Sequence, residues 1–185
     1  LSYVLRNSRL KGFNAYVLSP HMARGWYDDV EGGRQWANAK QKQNLTDLLN
    51  KITTEYNIDK NNIILCGASM GGGSAIWVAD KMPDYFSKLV VLSGYNYGVT
   101  LSNIKIPTRG YVGSVDCRED SSSVEYMNGT FATAFGSENV INMNSSHSGL
   151  PKDVYNKDEN GNGRSDVIEW MFGYSVYQSS GGSSY

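Results

Sequence analysis

A glycine-rich hexapeptide, Gly67-Ala-Ser-Met-Gly-Gly72, constrains the fold more than any other feature of this sequence. It follows residues 63–66, Ile-Ile-Leu-Cys, a short apolar run rich in β-branched side chains that predicts a buried strand. It precedes residues 74–82, which predict a helix that Pro83 ends. A strand that turns straight into a helix is typical of layered α/β proteins, because the helix then packs back onto the sheet.

The remainder of the chain repeats this alternation of short apolar runs and longer segments with helical periodicity. The predicted strands span residues 14–19, 63–66, 88–94, 110–115 and 138–143, and the predicted helices span residues 1–9, 34–56, 74–82, 121–135 and 166–177. This order predicts a three-layer α/β sandwich, a mostly parallel sheet with helices on both faces. We expect one domain over residues 1–178 and a flexible Ser/Gly tail over residues 179–185.

Composition and charge argue against two kinds of partner. Lys and Arg number 17 against 18 Asp and Glu, a net charge of −1, whereas nucleic-acid binders carry a basic excess. The apolar runs are far shorter than the roughly 20 residues that cross a bilayer. We therefore expect no nucleic-acid and no membrane partner, and the compartment, cytoplasmic or secreted, stays open. Cys66 ends one predicted strand and Cys117 follows another. We do not expect these two strands to be neighbours, so we predict free thiols.

The hexapeptide also fits the pattern G-x-S-x-G, in which a serine stands on a strained turn between a strand and a helix. Glycines on either side let the neighbouring chains approach closely. The helix dipole and the backbone N–H of Met70 would stabilise an oxyanion formed next to Ser69. Ser69 is therefore a candidate nucleophile, with a plain glycine-rich turn and a phosphate-binding loop as the alternatives.

A nucleophilic serine needs a base, and the chain has two histidines. His147 follows the serine and lies in a polar loop after the last predicted strand, whereas His21 precedes the serine. Asp116 ends the predicted strand that lies between Ser69 and His147 in the sequence. It is the candidate acid, which would orient the imidazole of His147. Glu119 and Asp120 are its rivals, and a solvated helix start is their ordinary interpretation.

These residues resemble the α/β-hydrolase superfamily, specifically its small esterase-like branch related to dienelactone hydrolases, prolyl-oligopeptidase-like esterases and phospholipase/carboxylesterases. The resemblance extends over about residues 14–178 and depends on residues 67–72, residues 113–116 and His147. It implies a serine hydrolase that cleaves small-molecule carboxylic esters without a cofactor in catalysis. In that reaction Ser69 forms an acyl-enzyme, His147 acts as general base and then acid, and water releases the acid.

The sequence departs from this family in one respect. In the family, an earlier strand and a His-Gly-type loop provide a second oxyanion donor, and nothing here matches them. We expect a chain that lacks the first strands of the family's sheet, and one lost donor costs about 3 to 4 kcal/mol of transition-state stabilisation. A non-catalytic ligand-binding module is therefore one alternative. A peptidase or amidase is the other, because the same triad serves ester and amide bonds. Trp26 and Tyr27 are candidate substrate contacts, with simple loop packing as the alternative.

An exposed edge of the first strand would also favour a homodimer, because unpaired backbone groups on an edge strand bind another strand.

An acidic loop near the C-terminus matches the twelve-residue calcium-binding pattern at its first, third, fifth, sixth, ninth and twelfth positions. The candidate ligands are the side chains of Asp158, Asn160, Asn162, Asp166 and Glu169 and the carbonyl of Arg164. Residues 151–157 predict a poor incoming helix, which argues against a paired EF-hand. The alternative is a capping box in which Asp166 caps the last helix and Glu169 reaches back to it. A bound Ca²⁺ would be structural.

Overall fold

The computed structural model describes residues 2–10, 13–21, 39–95, 98–114, 122–163 and 165–173. The strands are β1 (Ser2–Leu10), β2 (Phe13–His21), β3 (Ile64–Ala68), β4 (Lys88–Leu92), β5 (Thr108–Gly113) and β6 (Val140–Met143). The helices are α1 (Ala39–Glu55), α2 (Met70–Lys81), α3 (Ser122–Tyr126), α4 (Ala132–Phe135), α5 (Leu150–Asn156) and α6 (Asp166–Phe172). A π-helical turn, Met127–Phe131, joins α3 to α4. None of the described helices is long and apolar enough to cross a membrane.

Four strands form a parallel sheet in the order β3-β4-β5-β6, which confirms the predicted α/β class. The central strand β4 shows both faces of this sheet, because its side chains alternate between two buried clusters. Leu89 and Val91 pack with α1, α2 and the π-helical turn, whereas Val90 and Leu92 pack with α5 and α6. Helices therefore cover both faces, as the alternation of strands and helices predicts.

The N-terminal segment differs from its prediction in two ways. Residues 2–10 form strand β1 rather than a helix, and β1 pairs with β2 in an antiparallel sheet of its own. Only two residues separate the strands in sequence, a spacing that suits a hairpin, and the hairpin satisfies backbone groups that a helix would have satisfied internally. The predicted strand at residues 14–19 lies within β2, but it is not a buried strand of the parallel sheet. Tyr16 and Val17 are 38% and 39% exposed.

The helices follow their hydrophobic periodicity with local differences. Four apolar residues of α1 recur at helical spacing and are buried, namely Leu45, Leu48, Leu49 and Ile52. Tyr56 follows the end of the helix and is exposed. The helix predicted over residues 166–177 ends at Phe172, because Gly173 adopts a φ of +75° that breaks the helical hydrogen-bond pattern.

The predicted poor incoming helix before the acidic loop is wrong, since residues 150–156 form α5. Pro151 stands in its first turn, where a missing N–H costs no hydrogen bond.

Cys66 is a free cysteine, and β4 lies between its strand and β5 as predicted. Cys117, the tail at residues 179–185 and the end of the predicted domain at residue 178 lie outside the described residues.

A buried valine of the parallel sheet and an exposed valine of the N-terminal hairpin give a test of this architecture. We expect Val90→Ala to lower the free energy of unfolding by about 2 kcal/mol, because Val90 is 0% exposed and its loss leaves a cavity in the sheet. Val17→Ala is the matched control and should change it by less than about 0.5 kcal/mol. Chemical denaturation of both variants checks this, and equal losses would contradict the placement of β2 outside the main core.

Candidate active site

The turn at Ser69 has the strained geometry that the glycine-rich hexapeptide predicts. β3 ends at Ala68 and α2 begins at Met70, so Ser69 alone makes the reversal, with φ +55° and ψ −122°. Its backbone N–H donates to the Leu92 carbonyl of β4 at 2.8 Å, which anchors the turn to the neighbouring strand. A non-glycine residue at such angles costs on the order of 1 to 3 kcal/mol and persists only where its surroundings enforce it.

Close packing behind the turn depends on Gly72 more than on Gly71. A Cβ on Gly72 would lie 2.9 Å from the Cα of Gly94, which follows β4, whereas a Cβ on Gly71 would meet nothing within 4 Å. A Cβ on Gly67 would lie 2.1 Å from the Gly71 carbonyl oxygen. The G-x-S-x-G pattern therefore identifies one of the two glycines that the packing requires, and the glycine after the motif is the other.

Met70 supplies the candidate oxyanion donor. It is the first residue of α2, so its N–H belongs to the first-turn amides that have no acceptor within a helix. The Gly72 and Gly73 amides, in contrast, donate to the Ser69 carbonyl at 2.9 and 3.2 Å. The Met70 side chain is 43% exposed, so the start of α2 is open to solvent at this point.

His147 is half-buried in the loop that joins β6 to α5. Because the sheet is parallel, the ends of β3, β5 and β6 all lie at one edge, and Ser69 and His147 both follow strands that end there. The base of this loop packs against the end of β5: the Ser114 amide donates to the Met143 carbonyl at 2.7 Å. A Cβ on Gly113 would lie 2.4 Å from the Ser145 carbonyl oxygen. The loops after β5 and β6 therefore start side by side.

Several predicted site residues fall outside the described part of the chain. These are the candidate acid Asp116, its rivals Glu119 and Asp120, the candidate substrate contacts Trp26 and Tyr27, and Arg164 of the acidic loop. Asp116 follows two residues after Ser114, which ends the described part of the acid strand. Its role stays a prediction.

Sequence reasoning missed Ser93 as part of this edge. Ser93 follows β4, is 1% exposed and has a φ of +42°. Among the described residues other than glycine, only Ser69 and Ser93 have positive φ, and the two stand at the ends of adjacent strands. Ser93 donates its N–H to the Tyr111 carbonyl at 2.8 Å. The serine before Gly94 was the only signal in the sequence, and a serine before a glycine is common in ordinary turns.

The acidic loop joins α5 to α6 and is closed by its own hydrogen bonds. The Asp158 carboxylate accepts the backbone N–H groups of Asn162 at 3.1 Å and Gly163 at 2.7 Å. Asp166 accepts the Glu159 N–H at 3.2 Å. Glu169, which is 4% exposed, accepts from the Asn162 side-chain amide at 2.8 Å. Within the described ranges, no three His, Cys, Asp or Glu side chains converge as a metal site requires.

The predicted capping box of α6 is wrong. Ser165 is the N-cap and makes no side-chain capping hydrogen bond, and Asp166 is already the first helical residue. The carboxylates of Asp166 and Glu169 accept donors from the loop instead. The reason is the length of the loop, because its turn brings the Glu159 and Asn162 donors within reach of the start of α6.

A cleft of about 500 Å³ lies beside this loop rather than at Ser69, and its lining includes Arg109, Tyr111 and Trp170. The Trp170 ring lies 4.8 Å from the Arg109 guanidinium and 5.3 Å from the Lys88 ammonium. Lys88 also donates to the Trp170 and Met171 carbonyls at 2.6 and 2.7 Å. Burial and the nearby Arg109 charge lower the pKa of Lys88. These contacts attach the end of α6 to the sheet, and neither Ser69 nor His147 lines the cleft.

The adjacent glycines of the turn give a matched pair of variants. We expect Gly72→Ala to lower the free energy of unfolding by about 2 kcal/mol or more, because its methyl group would collide with backbone that cannot rotate away. Gly71→Ala should leave it unchanged or raise it by up to about 1 kcal/mol, since alanine favours the helix. Thermal unfolding of both variants checks this, and equal effects would contradict the close approach of α2 to β4.

Comparisons with known proteins identify the family and the fold of the chain. The family described as "Putative esterase" matches residues 14–139. No curated protein matches the sequence. Among solved structures, a thermostable esterase is similar with a TM-score of 0.60 and 22% identity, over 85% of this chain and 43% of the esterase. A CIB-like hydrolase from Thermoplasma acidophilum is similar with a TM-score of 0.51 and 18% identity, over 75% of this chain and 64% of the hydrolase.

At these identities the solved structures establish the fold alone, and the chain spans less than two thirds of the length of either protein. The family match, in contrast, covers more than half of the chain and includes the turn at Ser69. The chain therefore belongs to this esterase family and has the α/β-hydrolase fold.

Proposed function

We propose that this chain is a serine hydrolase that cleaves carboxylic esters of small molecules through an acyl-enzyme on Ser69. The observation that carries the proposal is the strained turn at Ser69, which places a serine between the end of a strand and the first amides of a helix. Membership of the esterase family supports esters as the substrate class. Strain of this kind clusters at functional sites, because a relaxed turn would lower the energy of the fold.

The proposed reaction has two halves. Ser69 Oγ attacks the ester carbonyl carbon while His147 takes the hydroxyl proton, and the Met70 N–H donates to the resulting oxyanion. The oxyanion collapses, the bond to the alcohol breaks, and His147 returns the proton to the departing alcohol. Water then loses a proton to His147 and attacks the acyl carbon. The bond to Ser69 Oγ breaks, His147 returns the proton to this oxygen, and the acid is released. Asp116 would hold the imidazole in the required orientation.

Two other functions compete with this proposal. The same residues would serve a peptidase or amidase, which differs in the leaving group that His147 must protonate. A non-catalytic module with the same fold would bind a ligand at this edge without turnover. Parallel assays of an activated ester and an activated anilide distinguish an esterase from a peptidase or amidase. Labelling of Ser69 distinguishes a hydrolase from a non-catalytic module.

Labelling with a fluorophosphonate tests the nucleophile directly. We expect intact mass spectrometry to find one adduct on the wild-type protein and none on Ser69→Ala, because the reagent reacts only with an activated serine. Hydrolysis of p-nitrophenyl acetate should fall by at least roughly 10³-fold in the same variant. Ser102→Ala, an exposed serine on a short 3₁₀ turn, is the control and should label fully. A wild-type protein that neither labels nor turns over the ester would overturn the proposal.

We propose a structural Ca²⁺ for the acidic loop as a separate point. Its donors would be the side-chain oxygens of Asp158, Asn160, Asn162, Asp166 and Glu169 and the Arg164 carbonyl, a set of hard oxygen ligands that suits calcium. The start of α6 at the ninth position and the φ of +78° at Gly163 in the sixth position support it. With Ca²⁺ bound, the Glu169 carboxylate would bind the cation instead of accepting a hydrogen bond from the Asn162 side-chain amide.

Calcium titration tests the loop without reference to activity. We expect millimolar Ca²⁺ to raise the Tm by several degrees over the protein in EDTA, because a ligand that binds only the folded state stabilises it. Mg²⁺ at the same concentration should raise it less, and Glu169→Gln should remove the difference. An unchanged Tm would leave the loop held by its own hydrogen bonds and would refute the calcium site.

The homodimer predicted from an exposed strand edge also stays a proposal. The first predicted strand lies within β2, which pairs only with β1 among the described residues, so the other edge of β2 is the one that such a dimer would use.

A further inference from the structure

The loop that carries His147 is anchored at its start by a side chain. Ser145 is the second residue after β6 and is 5% exposed. Its hydroxyl donates to Asp153 Oδ2 at 2.5 Å, the short distance typical of a hydroxyl bound to a carboxylate. Asp153 lies on α5, where its own N–H donates to the Gly149 carbonyl at 3.0 Å. The bond therefore joins the beginning of the loop to the helix that follows it.

His147 lies inside the ring that this bond closes. The intervening chain is tightened by the Gly149 and Leu150 amides, which donate to the Ser146 carbonyl at 3.1 and 2.8 Å. α5 itself is fixed to the sheet, because Leu150 and Val154 are each 1% exposed and pack with β4 and β5. Asp153 of this packed helix thus binds Ser145 of the loop, and His147 follows Ser145 by two residues.

Ser145 also meets the strand that leads to the candidate acid. The 2.4 Å between its carbonyl oxygen and a Cβ on Gly113 means that the backbone of Ser145 fills the space next to β5. Without the Asp153 carboxylate, the Ser145 hydroxyl keeps only the Ser146 carbonyl oxygen, 3.2 Å away, as an acceptor. That bond is longer and lies within the loop itself, so the link to α5 would be lost and the loop would rearrange around the weaker bond. Any such rearrangement moves the segment that positions His147 relative to the end of β5.

We propose that Asp153 is a positioning residue for His147, acting through Ser145. This inference builds on the proposed hydrolase, and it names a group that the resemblance to a hydrolase does not identify. Asp153 does not touch the substrate. Its carboxylate keeps Ser145 in place, and the imidazole of His147 then stays where it can take the proton of Ser69.

The test compares Asp153→Ala, Ser145→Ala, the double variant and the conservative Asp153→Asn. We expect kcat for p-nitrophenyl acetate to fall about tenfold in each alanine variant while KM changes less than twofold, because ground-state binding does not use His147. The double variant should lose no more kcat than either single variant, since both substitutions remove the same hydrogen bond. Asp153→Asn keeps an acceptor for the hydroxyl and should recover most of the lost kcat.

Lys152→Ala is the matched control, because Lys152 is the exposed neighbour of Asp153 on the same helix. It should keep the wild-type kcat. Circular dichroism at the assay temperature ensures that every variant is folded. An Asp153→Ala variant with wild-type kcat, or losses that add in the double variant, would overturn the proposal. A lower Tm with unchanged kcat would assign Asp153 a role in stability alone and would also overturn it.

A second measurement separates this inference from the proposed function. Hydrogen exchange at the backbone amides of residues 145–149 reports the order of the loop whether or not the protein turns over an ester. We expect at least tenfold faster exchange there in Asp153→Ala than in Lys152→Ala. If the wild-type protein proves inactive, the proposed hydrolase fails, while faster exchange still supports the anchor and equal exchange refutes it.

Discussion

The close approach of α2 to β4 is the constraint on which the candidate site depends. The helix follows the nucleophile strand with one intervening residue, and it lies flat against the sheet only because Gly72 and Gly94 leave no side chains between them. The hydrogen bond from Ser69 to the Leu92 carbonyl completes the attachment. Together these contacts hold Ser69 at angles that an isolated turn would not keep.

The other half of the candidate site is attached from the opposite face of the sheet. α5 and α6 pack against Val90, Leu92 and Tyr111, whereas α2 packs against Leu89 and Val91. The serine and the histidine are thus held by different layers that share one strand, β4. Two packed faces leave little freedom for either loop, which is a physical reason for placing such groups on a layered sheet rather than on a single hairpin.

Local patterns predicted much of this arrangement, and the failures have specific causes. The apolar run at residues 88–94 and the helical periodicity of residues 34–56 were sufficient to predict β4 and α1, because a central strand and an amphipathic helix bury residues at regular intervals. α5 was missed because Pro151 is a helix breaker except in a first turn. β1 was missed because pairing with β2, a contact between segments, overrides the preference of residues 2–10.

The sequence by itself determined the four strands of the parallel sheet, the serine turn and the polar loop around His147. Each of these depends on a short run of residues with its own steric or polar preference. Only the tertiary structure decided which glycine the packing requires, that Ser93 shares the strained edge with Ser69, and that Asp153 reaches Ser145. These features depend on contacts between different elements of the fold. Their partners are chosen by how the layers meet, which no local pattern contains.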